Sequence, residues 1–100
     1  MNELQKQVDE LIKEFGGYWD PFVMLAALME EVGELSDALL NFEGPKGSGS
    51  IEEVREELGD VMFALLCMAN VYGVDIFEAL KASIEKYKGR DKVRWKNRAT

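Results

Sequence analysis

The chain has 100 residues, 47% of them hydrophobic and 31% charged, with a net charge of −7. That is enough for one modest core, and it argues against disorder, a fibre or a membrane span, since no run of about eighteen apolar residues occurs. There is no histidine and one cysteine, Cys67, which removes zinc sites, a histidine general base, a Cys-His nucleophile pair and an intrachain disulfide.

Fifteen of the 19 acidic residues fall in positions 1–60 and eight of the 12 Lys and Arg in 81–100, an acidic body with a basic tail. A chain this short is expected to form a single domain over 1–100 and to gain stability by associating with copies of itself. The opening MNELQKQVDE has no basic segment followed by an apolar run, so no secretory signal is read there and a cytoplasmic setting is expected.

Helical spacing and punctuation divide the chain into four helices. The first, about 3–15, sets Leu4, Val8, Leu11, Ile12 and Phe15 on one side, stops at Gly16-Gly17, and is expected to be peripheral. Asp20 as cap and Pro21 at the first helical position open the second, about 21–42. The stretch EGPKGSGS breaks the pattern, and Ser50 with Glu53 forms a capping box for the third helix, about 51–72. Gly73 ends it, Asp75 caps the fourth, about 76–88, and the tail 89–100 is basic. No alternating pattern suggests a strand. The expected fold is all-α, a compact four-helix bundle that assembles as a homo-oligomer.

Angles on the helices single out some of the many carboxylates. At about 100° per residue, Leu25, Leu28, Val32, Leu35 and Leu39 make an apolar stripe on the second helix, with Glu30 and Asp37 nearly opposite. Glu31 lies on the flank of that stripe beside Met24, Ala27 and Ala38, and Glu34 follows one turn on. The third helix repeats the pattern, with Val54, Leu58, Val61 and Leu65 as stripe, Glu57 on its flank and Asp60 one turn on. If the two helices pack antiparallel through the 43–50 loop, Glu34 and Glu57 both sit roughly 10 Å from it, and Glu31 and Asp60 match one turn further away. Four facing carboxylates repel unless protonated or neutralised by cations, and an oxygen-only ligand set suits Mg²⁺, or Mn²⁺ as a substitute, together with a phosphate-bearing substrate.

Glu30-Glu31-Val32-Gly33-Glu34, followed after 22 residues by Glu57-Leu58-Gly59-Asp60, resembles the EExxE and ExxD signature of the MazG-type, all-alpha nucleoside triphosphate pyrophosphohydrolases. GGYWDPFVMLAALMEEVGEL, EELGDVMFALLCMANVYGVDIFEAL and KYKGRDKVRW are similar to further segments of that family, so the likeness covers essentially the whole chain. It implies a helical homodimer or homotetramer and Mg²⁺-dependent hydrolysis of a nucleoside triphosphate, with non-standard and deoxynucleotides among the candidate substrates, to the monophosphate and pyrophosphate. The implied metal ligands are Glu31, Glu34, Glu57 and Asp60.

With histidine absent, a carboxylate is the expected proton acceptor. Glu34 could serve by proximity, while Glu30 is either a helper or a plain surface charge. Lys86 and Arg90 match the family's K-x-x-x-R ending and could hold phosphate oxygens, or merely favour a helix C-terminus through its dipole. Arg94 and Trp95 match the RW that follows. Tyr18, Trp19 and Phe22 stand where the family recognises the base, although aromatics before a helix are also ordinary core. Asn70 matches a family Asn and is expected to bind substrate, yet its helical angle points away from Glu57, so direct contact would need the neighbouring subunit or a bent helix. Two rivals come from other classes. A di-iron carboxylate bundle needs a Glu-x-x-His motif that is impossible here, and a non-catalytic nucleotide-binding or protein-interaction module fits the same helices. No membrane partner and no nucleic-acid partner is expected, because the basic tail alternates with acidic and apolar residues.

Overall fold

The computed structural model describes residues 1–45, 47–89 and 92–98, and among them every regular element is a helix. The order is α1 Glu3–Glu14, α2 Pro21–Glu43, α3 Ile51–Val71, α4 Ile76–Gly89 and α5 Lys92–Arg98.

The caps expected from the sequence are in place. Asp20 Oδ1 accepts from Phe22 N–H at 2.8 Å with Pro21 behind it, and Ser50 Oγ accepts from Glu53 N–H at 3.2 Å. Asp75 Oδ1 receives the N–H groups of Phe77 and Glu78 at 3.0 and 3.2 Å. Each side-chain oxygen satisfies donors that the first helical turn leaves free. After α1 the chain turns through Gly16 and Gly17 at φ 108° and 109°, values that residues with a Cβ rarely adopt.

A hairpin of α2 and α3 is the main packing unit, and α1 lies across α3. Val8 of α1, Met24 of α2 and Leu66 and Cys67 of α3 form the buried cluster, with Ile12, Tyr18, Met68, Val71 and Ile76 packed around it. α1 is therefore part of the core rather than peripheral to it. Its inward line is Gln5, Val8 and Ile12, while Leu4 and Leu11 face out.

Two further expectations are corrected. The described residues form five helices rather than four, because the basic tail contains α5, its lysines and arginines being good helix formers. Nor does the single chain close into a compact four-helix bundle. The axis turns by 105° between α3 and α4, and beyond Ile76 the apolar residues Leu80, Ile84 and Tyr87 of α4 are exposed. The radius of gyration is 16.3 Å, against about 13 Å for a compact chain of this length. Among the described residues no single helix is long and apolar enough to cross a membrane.

The seam between α2 and α3 is also rotated from the expected one. Met24 and Ala38 are buried against α3, whereas Leu25 and Leu39, assigned to the central stripe, are 47% and 43% exposed. On α3, Val54 is buried but Leu58 is 54% exposed. Small residues favour close packing of helices, and the contact follows the line through Met24, Ala27, Glu31 and Ala38, with Leu28, Val32 and Leu35 half-buried beside it and Leu25 and Leu39 turned outward.

Candidate functional site

That rotation carries the flanking carboxylates into the hairpin. Glu31 on α2 and Glu57 and Asp60 on α3 each offer one carboxylate oxygen, and these three atoms lie within 4.8 Å of one another. Glu31 and Glu57 are half-buried, and each has one oxygen, Oε2, shut off from solvent without a hydrogen-bond partner. A buried polar oxygen without a partner is costly and calls for a proton or a cation.

The electrostatics follow from this crowding. Burial first, then the charges of Glu34 and Asp60, push the Glu31 carboxyl above its ordinary range. The Glu57 carboxyl is raised by burial, then by Glu34, Asp60 and Glu31. Glu34 is exposed at the rim, near enough to raise both neighbours. The four residues selected from helical geometry thus interact as one acidic cluster. Glu30 is exposed and exerts the smallest of the influences on Glu31. An all-oxygen set with two unpartnered buried oxygens fits a hard divalent cation, and it lacks the nitrogen and sulfur donors that softer metals prefer.

Beside the cluster opens a cleft of about 400 Å³, within the size range of small-molecule sites. Glu31 and Asp60 lie on one side of it. Ile12, Met24, Ala27, Ala64 and Cys67 supply apolar lining, and Phe15, Tyr18, Trp19 and Phe63 are its aromatics. Trp19, 64% exposed, is held at the mouth by the short segment between Gly17 and the Asp20 cap. Cys67 is buried, and burial pushes its thiol up, so it is a neutral packing group.

The remaining expected site residues are not gathered here. Phe22 faces solvent and is not part of the lining. Asn70 is also absent from the lining: its Oδ1 accepts from Gln5 Nε2 at 2.8 Å, and its Nδ2 donates to the Gln5 carbonyl and the Tyr18 hydroxyl, both at 3.0 Å. Lys86 sits on the projecting α4, its ammonium 4.9 Å from the centre of the neighbouring Tyr87 ring. Arg94 is exposed on α5. Arg90 and the Trp95 side chain lie outside the described residues.

Reading the sequence missed Gln5, Asn2 and Asp9, which join Asn70 and Tyr18 in one polar network. The available signal was weak: Gln5 is a polar residue three and seven positions before Val8 and Ile12, on the apolar side of α1.

Comparison with known proteins supports the same assignment. Residues 20–95 match the MazG nucleotide pyrophosphohydrolase domain family. The chain is 38% identical to the Bacillus subtilis protein YpjD over 99 residues, covering 95% of this chain and 89% of that protein. It is 36% identical to Bacillus subtilis YvdC over 77 residues, covering 68% and 73% of the two. Among solved structures, it superposes with a TM-score of 0.76 on the Bacillus-conserved MazG protein, a nucleotide pyrophosphohydrolase, at 38% identity over 90% of each chain. The structure of Bacillus subtilis YpjD gives a TM-score of 0.74 at 36% identity, covering 91% of this chain and 95% of that one. The chain belongs to the MazG nucleotide pyrophosphohydrolase family and is a hydrolase acting on nucleotide phosphoric anhydride bonds.

Proposed function

We propose that this protein hydrolyses a nucleoside triphosphate between its α and β phosphates, in a Mg²⁺-dependent reaction that releases the monophosphate and pyrophosphate. The observation that carries this reading is the cluster of Glu31, Glu57 and Asp60, with two unpartnered buried oxygens, at the side of an aromatic-lined cleft. Glu31, Glu34, Glu57 and Asp60 would hold the cation, with Mn²⁺ as its substitute. When bound, it supplies charge neutralisation for the triphosphate and lowers the pKa of an attacking water.

The protein's own groups do the rest. Glu34, at the solvent rim, is the favoured proton acceptor, with Glu30 behind it as helper. Trp19 presents a ring face to the nucleobase across the cleft mouth. Lys86 and Arg90 bind phosphate oxygens, their charge complementing the substrate rather than the acidic body. The proposed setting is the cytoplasm, where nucleoside triphosphates and Mg²⁺ are both abundant.

The working unit is a homo-oligomer. Leu25, Met29, Leu39 and Leu40 on α2 and Ile51, Leu58 and Met62 on α3 are exposed. By helical angle they share the face of the hairpin opposite the carboxylates. A contiguous apolar face of this kind is unusual on a monomer and suits a second copy packed hairpin to hairpin.

The test is incubation with Mg²⁺ or Mn²⁺ and a panel of ribo-, deoxyribo- and modified nucleoside triphosphates, following products by chromatography. Equimolar monophosphate and pyrophosphate, lost in Glu31→Gln and Glu57→Gln, is the expected result. No turnover of any nucleotide by folded protein would leave a non-catalytic binding module.

A further inference from the structure

The cleft has one wall whose polar end is engaged elsewhere. Tyr18 is one of the residues that line the cleft, while its hydroxyl donates to Asp9 Oδ1 at 2.6 Å and accepts from Asn70 Nδ2 at 3.0 Å. Asn70 is in turn locked to α1 by two more hydrogen bonds with Gln5. Gln5 is the fully buried polar side chain of the chain's described part. Its Nε2 also donates to the Val74 carbonyl at 2.8 Å, and its Oε1 accepts from Ile76 N–H at 2.9 Å and from Asn2. Three separate pieces of chain, α1, the end of α3 and the α3–α4 corner, therefore converge on one amide.

We infer that Asn70 and Gln5 are positioning residues for the nucleotide cleft: they hold the Tyr18 hydroxyl so that its ring stands as a fixed wall, and neither amide touches the nucleotide. This rests on the cleft being the nucleotide site. Both N–H groups of the Asn70 amide are engaged within the network, and neither Asn70 nor Gln5 borders the cleft. Burial and the adjacent Asp9 push the Tyr18 phenol up to about 12, so it remains a proton donor at any working pH. A ring already held in its bound rotamer does not have to be ordered when substrate arrives. Loss of the hold therefore weakens binding more than it slows chemistry.

The experiment is a double-mutant cycle on KM and kcat, using the nucleotide that the wild-type protein turns over best. Tyr18→Phe and Asn70→Ala are each expected to raise KM about three- to tenfold with kcat within about twofold, and the double variant to be no worse than the worse single one. Asp9→Leu should behave like Tyr18→Phe, whereas Asp9→Asn, which keeps an acceptor for the phenol, should restore KM to within about twofold of wild type. Melting curves establish that each variant is folded.

A large KM increase in Asn70→Ala with none in Tyr18→Phe, or additive effects, would mean that Asn70 meets the nucleotide itself and would overturn the inference. Lowered melting temperatures with unchanged KM would reduce the network to a structural one and overturn it equally. Wild-type protein is assayed first: if it neither binds nor turns over any nucleotide, the cleft is not a nucleotide site and both readings fall together.

Discussion

Glu31 and Glu57 are held in a setting that penalises their charge, and the penalty has a definite pH signature. Both carboxyls are raised above the ordinary value of 4.5, by burial first and neighbouring carboxylates second. A carboxyl whose folded pKa is raised costs no stability below its unfolded value and weakens the fold as pH rises through the folded one. Asp9 and Asp75 are shifted the other way, below 3.8. Asp9 is lowered chiefly by its hydrogen bond to Lys13, and Asp75 chiefly by the Glu78 N–H at the start of α4. Their stabilisation is present above 3.8 and lost as pH falls through the depressed values. Metal-free protein should therefore melt higher as pH is lowered from neutral toward 4.5, then lower again below 3.8, as read by thermal melts in chelator. Glu57→Gln should remove its own share of that acid-side gain, leaving the share of Glu31, and raise the metal-free melting temperature at neutral pH. The same variant should reduce turnover at least about a hundredfold, so stability and activity move in opposite directions.

At the scale of elements, the structure depends on two joints. The first is the loop between α2 and α3. Gly49 donates its N–H to the Asn41 carbonyl, and a Cβ placed on it would stand 2.8 Å from Phe42 N and 3.0 Å from Asn41 atoms. Those neighbours are mostly backbone and cannot swing aside, so Gly49→Ala should cost about 1–3 kcal/mol, measured by denaturant unfolding. It should also weaken the cation site, because the loop sets the register that brings Glu31 level with Asp60.

The second joint is the α3–α4 corner, where Gln5 serves groups on three segments. Gln5→Leu keeps the volume but strands the Ile76 N–H, the Val74 carbonyl and the Asn70 amide. A loss of at least about 2 kcal/mol is expected, equivalent to roughly 8 °C or more in melting temperature for a chain of this size.

For the molecule as a whole, what matters is how much apolar surface one chain leaves uncovered. The hairpin buries its alanine side and leaves Leu25, Leu39 and Leu58 in the open, and α4 departs with its own apolar residues exposed. Leu58→Glu or Leu39→Glu should shift the protein from oligomer to monomer in sedimentation velocity, with the secondary structure retained at higher concentration. An unchanged sedimentation coefficient in both variants would count against the hairpin face as the contact.

Much of this protein is readable from residue order alone. Helix limits follow from local chemistry, because Asp20, Pro21, Ser50, Asp75 and the glycines act on backbone within a few residues of themselves. The acidic pairs are equally legible, since helical periodicity fixes which side chains share a flank. Three things were decided only by tertiary packing. Periodicity cannot say which part of a broad apolar face becomes the seam, and the packed hairpin buries Met24 and Ala38 rather than Leu25 and Leu39. The corner at the 105° turn after α3 is tied by hydrogen bonds with Gln5, about seventy positions away in sequence. The cleft, too, is the space left between α1, α2 and α3 once they have packed, which no single stretch of the chain encodes.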